Sequence, residues 1–175
     1  MIRGLLLDSG DTLIGPRGRR WNPRFDFEEV VAHHHPDVLA SQFAEAFAEG
    51  QAFMDGFGGT PSRDRYHEVV LRRLGIEPPL DLLAELDRPL PAELLMDVFD
   101  DVRPALDQIR DLGVRMVVVS DNWATLPDVY RSLGLADYFE GFVISEVIGC
   151  NKPDPRMYLA GSELLGLDPP RLRVR

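Results

Sequence analysis

The sequence contains a single cysteine, Cys150, and it has no long apolar run. One cysteine excludes an internal disulfide and is compatible with a reducing compartment. The apolar start of the chain, which ends at Asp8, is too short for a signal peptide. No segment approaches the roughly 20 apolar residues that a membrane span requires. These absences predict a cytoplasmic protein without a membrane partner.

Positive charge is also scarce, because 19 Lys and Arg stand against 29 Asp and Glu and give a formal net charge of −10. A protein that binds nucleic acid normally carries a basic face, so we expect no nucleic-acid partner. The apolar fraction of 45% and the charged fraction of 27% are ordinary for a globular chain. A length of 175 residues suits one compact domain, or a small core with an inserted subdomain. Composition leaves the oligomeric state open.

Three short apolar runs have the continuous pattern of strands buried on both faces: residues 2–7, 114–119 and 142–144. Segments with helical periodicity precede and follow the second run. This alternation predicts βαβ units and a doubly wound, parallel, Rossmann-like α/β sheet. A further strand is expected over residues 172–175, where the sequence ends.

Residues 15–99 show apolar positions at helical spacing, such as Phe43 and Phe47, separated by glycine and proline breaks. No strand pattern occurs between residues 14 and 100. We therefore predict an α/β core of residues 1–14 and 100–175, with an all-helical cap of residues 15–99 inserted after the first strand.

Polar side chains follow the predicted strands: Asp8, Ser120 and, after a loop, Lys152. Ligands bind at the carboxyl ends of strands in open α/β sheets. A carboxylate can attack phosphorus and form an aspartyl-phosphate, while a hydroxyl and an ammonium stabilise the other phosphoryl oxygens. Backbone N–H groups at the start of the helix after Ser120 are expected to add positive dipole. The three side chains predict a phosphate site.

Three segments resemble the sequence motifs of the haloacid dehalogenase (HAD) superfamily, in the branch that carries a helical cap after the first motif. The segments are LLLDSGDTL, VVVSDN and VISEVIGCNKPDPRMY. The resemblance makes Asp8 the nucleophile, Ser120 the phosphoryl-binding hydroxyl and Lys152 the lysine that pairs with nucleophile and phosphate. It covers residues 1–14 and 100–168, together with the position of the cap.

The resemblance implies a phosphohydrolase that depends on Mg²⁺ and acts on a small phosphorylated molecule through an aspartyl-phosphate. Family members bind the metal through the nucleophile and a backbone carbonyl, which are Asp8 and Gly10 here. The same resemblance places Asp11, Thr12 and Asn122 beside the substrate.

The sequence departs from the family pattern in two places. Gly10 replaces a second aspartate that serves as general acid and base, a group worth about a hundred- to ten-thousandfold in rate. Asp11 is adjacent, but its side chain leaves the loop in another direction and is not expected to substitute. An acidic fourth motif should follow residues 172–175, so only Asp8 supplies a metal carboxylate and Mg²⁺ binding is expected to be weak or absent. On this pattern the sequence is a piece of a longer chain, and residues 2–7 form an unpaired apolar edge.

Two other functions remain open at this point. One is a 2-haloacid dehalogenase-type hydrolase, which uses the same nucleophile and needs neither the second aspartate nor a metal. The other is a catalytically inactive binding protein of the same fold. The arginines around Trp21 either recognise an anionic substrate or are solvated loop charges. The glycine-rich loop that begins at Gly56 is either a cap loop that reaches the site or an ordinary linker.

Overall fold

A computed structural model describes residues 2–17 and 20–167. In chain order the elements are β1 (Gly4–Leu7), β2 (Ile14–Pro16), α1 (Phe27–His34), α2 (Ala40–Gly56), α3 (Arg63–Arg73), α4 (Leu80–Leu86), α5 (Ala92–Leu95), β3 (Met96–Val98), α6 (Val102–Asp111), β4 (Arg115–Ser120), α7 (Leu126–Ser132), a 3₁₀ turn (Ala136–Tyr138), β5 (Gly141–Ile144), α8 (Ser145–Ile148) and α9 (Pro155–Leu164). Within these residues no helix has both the length and the apolar character needed to cross a bilayer.

The core sheet has the strand order β1-β4-β5, and both pairings are parallel. Alternate residues of β4 enter different cores: Met116 and Val118 pack with the cluster under α6 and α7, and Val117 and Val119 pack with the cluster under α9. Because both faces are covered, the four residues between Arg115 and Ser120 are all apolar. The predicted parallel α/β fold is confirmed, and the strand predicted over residues 172–175 lies outside the described residues.

The segment between β2 and β3 forms helices α1 to α5, of which α1 to α4 contribute to a separate hydrophobic cluster. Phe27, Tyr66 and Leu82 are among its most buried members, each 1% exposed or less. The cluster shares no residue with the two clusters that flank the sheet. The helical character of the insert agrees with the sequence pattern, while its proposed boundaries at residues 15 and 99 remain a prediction.

The expectation that no strand occurs between residues 14 and 100 is wrong at both ends of the insert. Ile14–Pro16 pairs antiparallel with Met96–Val98 and forms a two-stranded ribbon where the chain leaves and rejoins the core. Each strand has three residues, too few for a periodic pattern to show. The ribbon is anchored by Ile14, which is fully buried.

Helix α9 lies unusually close to the sheet because residue 161 is a glycine. A Cβ atom at Gly161 would lie 2.8 Å from a methyl carbon of Leu6 and 3.1 Å from one of Val119. The helix begins at Pro155, and the Asp154 carboxylate caps it by accepting the N–H of residue 156 at 2.9 Å. This packing positions the loop that carries Lys152.

Candidate active site

Asp8 follows β1 and pairs with the ammonium group of Lys152. Lys152 Nζ lies 2.7 Å from Asp8 Oδ1, and the backbone N–H of Ser9 donates to the same oxygen at 2.7 Å. Among the described residues no group donates a hydrogen bond to Oδ2. One oxygen of the carboxylate is therefore held in place while the other faces open space.

Ser120 ends β4, the neighbour of β1, and is 2% exposed. Leu7 pairs with Val118, so the residues after both strands emerge at the same edge of the sheet. Asp8, Ser120 and Lys152 all line one cleft of about 920 Å³ between this edge and the helical insert. The structure thus brings together the three groups that the sequence singled out, and their chemical roles remain predictions.

The loop that carries Lys152 is fixed by a carboxylate that sequence reasoning missed. Asp121 Oδ1 accepts the backbone N–H of Lys152 at 2.9 Å, which ties this loop to the end of β4. Asp121 also lines the cleft. Its place directly after the predicted serine was the only signal in the sequence.

The backbone N–H groups of residues 122–124, in the loop between Ser120 and α7, are already hydrogen-bonded. The N–H of Asn122 donates to Ser145 Oγ at 3.0 Å, and the N–H of residue 123 donates to Asn122 Oδ1 at 2.8 Å. The N–H of residue 124 donates to the Glu146 carboxylate at 2.7 Å. These loop donors are occupied before any ligand arrives, and the dipole expected at the start of α7 itself stays a prediction. Asn122 lines the cleft, as predicted for a substrate contact.

The residues after Asp8 form a tight turn whose open side is covered by Trp21. A Cβ atom at Gly10 would lie 3.1 Å from Trp21 Cζ2, so the indole ring occupies part of the space that a side chain at position 10 needs. Asp11 adopts a left-handed backbone with φ of 55° and accepts the Trp21 indole N–H at 3.2 Å. Gly10 and Asp11 line the cleft, whereas Thr12 lies outside the residues that line it.

A buried tyrosine supports the same turn from below. Tyr130 OH donates to Ser9 Oγ at 2.8 Å, and both residues are fully buried. Burial raises the pKa of Tyr130 to about 12, so the phenol stays protonated and acts as a donor. Nothing in the local sequence indicated this contact, because the two residues lie far apart in the chain.

The glycine-rich loop of the insert contacts the core. The Gly59 carbonyl accepts a hydrogen bond from Asn151 Nδ2 at 3.1 Å, and the Pro61 carbonyl accepts one from Trp123 Nε1 at 2.7 Å. The hydroxyl groups of Thr60 and Ser145 are also hydrogen-bonded to each other. Of the two interpretations left open, the structure favours a loop that reaches the site over a linker.

Arg20 and Arg24, on either side of Trp21, are held in partly buried ion pairs and are not solvated loop charges, whereas Arg17 forms an exposed pair with Asp97. Arg20 forms a two-pronged pair with Glu28, with both N–O distances 2.7 Å. Arg24 Nε lies 2.6 Å from Asp26 Oδ1. Burial disfavours the charge of Asp26, but hydrogen bonding to Arg24 and the nearby Arg88 outweigh it and hold the pKa of the carboxyl below its usual range.

The described residues offer a metal ion only a partial ligand set. No group of three or more His, Cys, Asp or Glu is arranged to hold a metal in the part of the chain that the structure describes. Magnesium requires near-octahedral oxygen coordination, usually with one or two carboxylates. Asp8 offers a carboxylate, but its Oδ1 is engaged by the Lys152 ammonium.

Comparison with known proteins gives relatives over most of the chain. The glyceraldehyde 3-phosphate phosphatase of Methanopyrus kandleri is 26% identical over 97% of this chain and 72% of that protein. The haloacid dehalogenase-like hydrolase domain-containing protein 3 of Homo sapiens is 27% identical over 96% of this chain and 71% of that protein.

Solved structures show the same fold. The HAD-hydrolase YfnB from Bacillus subtilis, bound to magnesium, superposes with a TM-score of 0.61 at 20% identity, over 93% of this chain and 73% of that one. The L-2-haloacid dehalogenase of Xanthobacter autotrophicus, with chloropropionic acid covalently bound, gives 0.56 at 19% identity, over 97% and 67%.

Family membership is established by a match to a protein-family model rather than by these comparisons with individual proteins. The model describes haloacid dehalogenase-like hydrolases and matches residues 5–172, which include every residue placed in the cleft above. Relatives named as phosphatases agree with it. The chain therefore belongs to the haloacid dehalogenase-like hydrolases, and its named relatives make it a phosphatase-like member of that family.

Proposed function

We propose that this protein hydrolyses the phosphate ester of a small molecule through an aspartyl-phosphate on Asp8. The observation that carries the proposal is the 2.7 Å contact between Lys152 Nζ and Asp8 Oδ1 in a cleft that Ser120 also lines. This arrangement combines a nucleophile with two groups able to bind phosphoryl oxygens.

In the first step Asp8 Oδ2 forms a bond to phosphorus while the bond from phosphorus to the ester oxygen breaks. Because the Ser9 N–H and Lys152 hold Oδ1, the carboxylate is oriented and Oδ2 is the oxygen that attacks. Lys152 and the Ser120 hydroxyl stabilise the phosphoryl oxygens. Water then attacks the acyl phosphate, which releases inorganic phosphate and restores Asp8.

Proton transfer is the weak part of this site. The leaving oxygen must gain a proton, and Gly10 offers no group that could supply it. We expect turnover to be slow for substrates with basic leaving groups, by about a hundred- to ten-thousandfold compared with a site that has the acid. Asp11 and Asn122, which line the cleft, are proposed as substrate contacts only. No step is assigned to Mg²⁺, whose binding we expect to be weak or absent.

The proposal is tested by trapping the nucleophile. The protein should bind beryllofluoride, an aspartyl-phosphate analogue, and release inorganic phosphate from p-nitrophenyl phosphate. Asp8→Asn should abolish both, whereas Asp37→Asn, an exposed aspartate outside the cleft, should change neither. Wild-type protein that shows neither adduct nor phosphate release would refute the proposal and favour a binding protein.

Lysine NMR gives a second reading, since Lys152 is the only lysine in the sequence. Protein labelled with ¹³C-lysine should show one Cε resonance, which shifts when beryllofluoride binds and changes in Asp8→Asn. A resonance that is insensitive to both would show that the Lys152–Asp8 pair is not part of the site.

A second activity is favoured by Gly10 together with the Trp21 ring over it. Displacement of halide from carbon needs no acid at position 10, because the leaving halide requires no proton. Asp8 Oδ2 would form an ester to the substrate carbon as halide departs, and water would then cleave that ester. Halide release from 2-chloropropionate without phosphate release from p-nitrophenyl phosphate would select this activity over the phosphatase.

A further inference from the structure

His67 lies in the wall of the cleft that the helical insert forms, and one nitrogen of its ring is buried and unpaired among the described residues. The residue lies on α3, lines the cleft and is 3% exposed. Its ring packs near Phe27 and Tyr66, with centroid distances of 5.7 and 5.8 Å. Nδ1 is buried and has no hydrogen-bond partner among the described residues. Native proteins rarely leave such an atom unpaired without a functional reason.

Two arginines in the same wall share one carboxylate. Arg24 Nε lies 2.6 Å from Asp26 Oδ1, and Arg88 Nη2 lies 2.6 Å from Asp26 Oδ2. Arg24 Nη1 also donates to the Arg88 carbonyl at 2.8 Å, which locks the pair together. Both arginines line the cleft. The two guanidinium groups and the one carboxylate together carry a net charge of +1.

Two other carboxylates of the cleft, Asp87 and Asp55, limit where an anion can approach the arginine pair. Asp87 also lines the cleft but is paired with Arg63 at 3.2 Å. Asp55, on α2, accepts a hydrogen bond from Gln51 at 2.7 Å and would repel an anion placed beside it. An anionic group in the cleft is therefore attracted to the side of Arg24 and Arg88.

We propose that Arg24, Arg88 and His67 form a second anion subsite, which binds a carboxylate that the substrate carries in addition to the phosphoryl group facing Asp8. This inference rests on the proposed phosphatase function. A carboxylate matches the single excess charge better than a second phosphate does, and guanidinium groups bind carboxylates with two parallel hydrogen bonds. His67 contributes an N–H rather than a charge, because burial lowers its pKa to about 4.

The kinetic test uses two phosphate esters with the same three-carbon skeleton, 3-phosphoglycerate and glycerol 3-phosphate. Only the first carries a carboxylate, so the ratio of their kcat/KM values measures the subsite. Arg88→Gln should lower that ratio about ten- to hundredfold, mainly through KM, since it removes a charged hydrogen bond. The Arg24–Asp26 pair stays intact in this variant. Arg110→Gln, an exposed guanidinium on α6 outside the cleft, should leave the ratio unchanged.

His67→Phe separates binding from structural support. The phenyl ring fills the volume of the imidazole and removes the unpaired Nδ1, so thermal stability should hold or rise while the kcat/KM ratio falls at least about fivefold. A histidine with a purely structural role would leave the ratio where it was. An unchanged ratio in both Arg88→Gln and His67→Phe would overturn the subsite.

Calorimetric binding to Asp8→Asn gives a reading that needs no turnover. 3-Phosphoglycerate should bind at least about tenfold more tightly than glycerol 3-phosphate, and Arg88→Gln added to Asp8→Asn should abolish the difference. Equal affinities, or no binding of either compound, would overturn the subsite. If Asp8→Asn keeps the difference in affinity but the wild-type protein releases no phosphate, the proposed phosphatase function is overturned and the subsite stands.

Discussion

Replacing Gly10 by aspartate tests whether the site lacks only its proton donor. A Cβ atom at position 10 would lie 3.1 Å from Trp21 Cζ2, closer than the ordinary contact range of 3.4–4 Å. The indole must move by a few tenths of an ångström, and overpacking of this kind costs about 1–3 kcal/mol. Gly10→Asp alone should therefore misplace the new carboxylate or destabilise the turn.

Replacing Trp21 by the smaller phenylalanine should let the carboxylate at position 10 adopt its proper position. In the double variant Gly10→Asp/Trp21→Phe the smaller ring leaves room for an aspartate beside Asp8. A positioned acid is worth about a hundred- to ten-thousandfold in rate. We expect at least about a tenfold gain over wild type, because an engineered acid is not ideally placed.

The assay compares glycerol 3-phosphate, whose alkoxide leaving group needs a proton, with p-nitrophenyl phosphate, whose leaving group does not. The gain in kcat should appear for the first substrate and be small for the second, and Trp21→Phe alone should show no gain. A folded double variant with no gain on glycerol 3-phosphate, in a wild-type background that cleaves p-nitrophenyl phosphate, would refute the idea that proton transfer limits this site.

Three further predictions concern single residues. Lys152→Met should lower kcat/KM for p-nitrophenyl phosphate about a hundred- to thousandfold, as loss of one charge-stabilising donor does, with circular dichroism unchanged; a loss below about fivefold would contradict the assigned role. His67 has a folded pKa of about 4 against an ordinary 6.5, so the folded state binds fewer protons than the unfolded state between these values and stability falls as pH drops through that window. The loss should reach about 3 kcal/mol by pH 4, and urea titrations of His67→Phe should show a pH dependence weaker by that amount. Tyr130→Phe leaves the buried Ser9 hydroxyl without its donor and should cost about 1–3 kcal/mol of unfolding free energy, whereas Tyr138→Phe, which affects only a half-exposed contact to Asp107, should cost about 1 kcal/mol or less.

The parts of the fold that the sequence predicts are those determined locally. Residues 116–119 of β4 are all apolar because both faces of the strand are covered. Phe43 and Phe47 stand at helical spacing because one face of α2 packs into the core of the insert. The sequence indicates Asp8 and Ser120 because the first follows a strand and the second ends one, and parallel strands end at a common edge. In these cases a few consecutive residues carry the information.

The parts that the sequence did not predict depend on contacts between distant segments. The β2–β3 ribbon joins residues on opposite sides of the insert. Trp21 covers Gly10 only because the chain folds back after β2, and the Asp121–Lys152 contact joins two loops on neighbouring strands. The unpaired Nδ1 of His67 is visible only once burial and hydrogen bonding are known. No periodicity or short motif encodes such pairs.

The glycine on α9 links the packing of the sheet to the position of the loop that carries Lys152. At Gly161 the helix backbone lies within methyl contact of Leu6 and Val119. An added methyl group must lift the helix from the strands, and that displacement would be passed along its axis to the segment before Pro155 that bears the lysine. A substitution far from the cleft would then be recorded as a defect in phosphate affinity, although it touches no ligand.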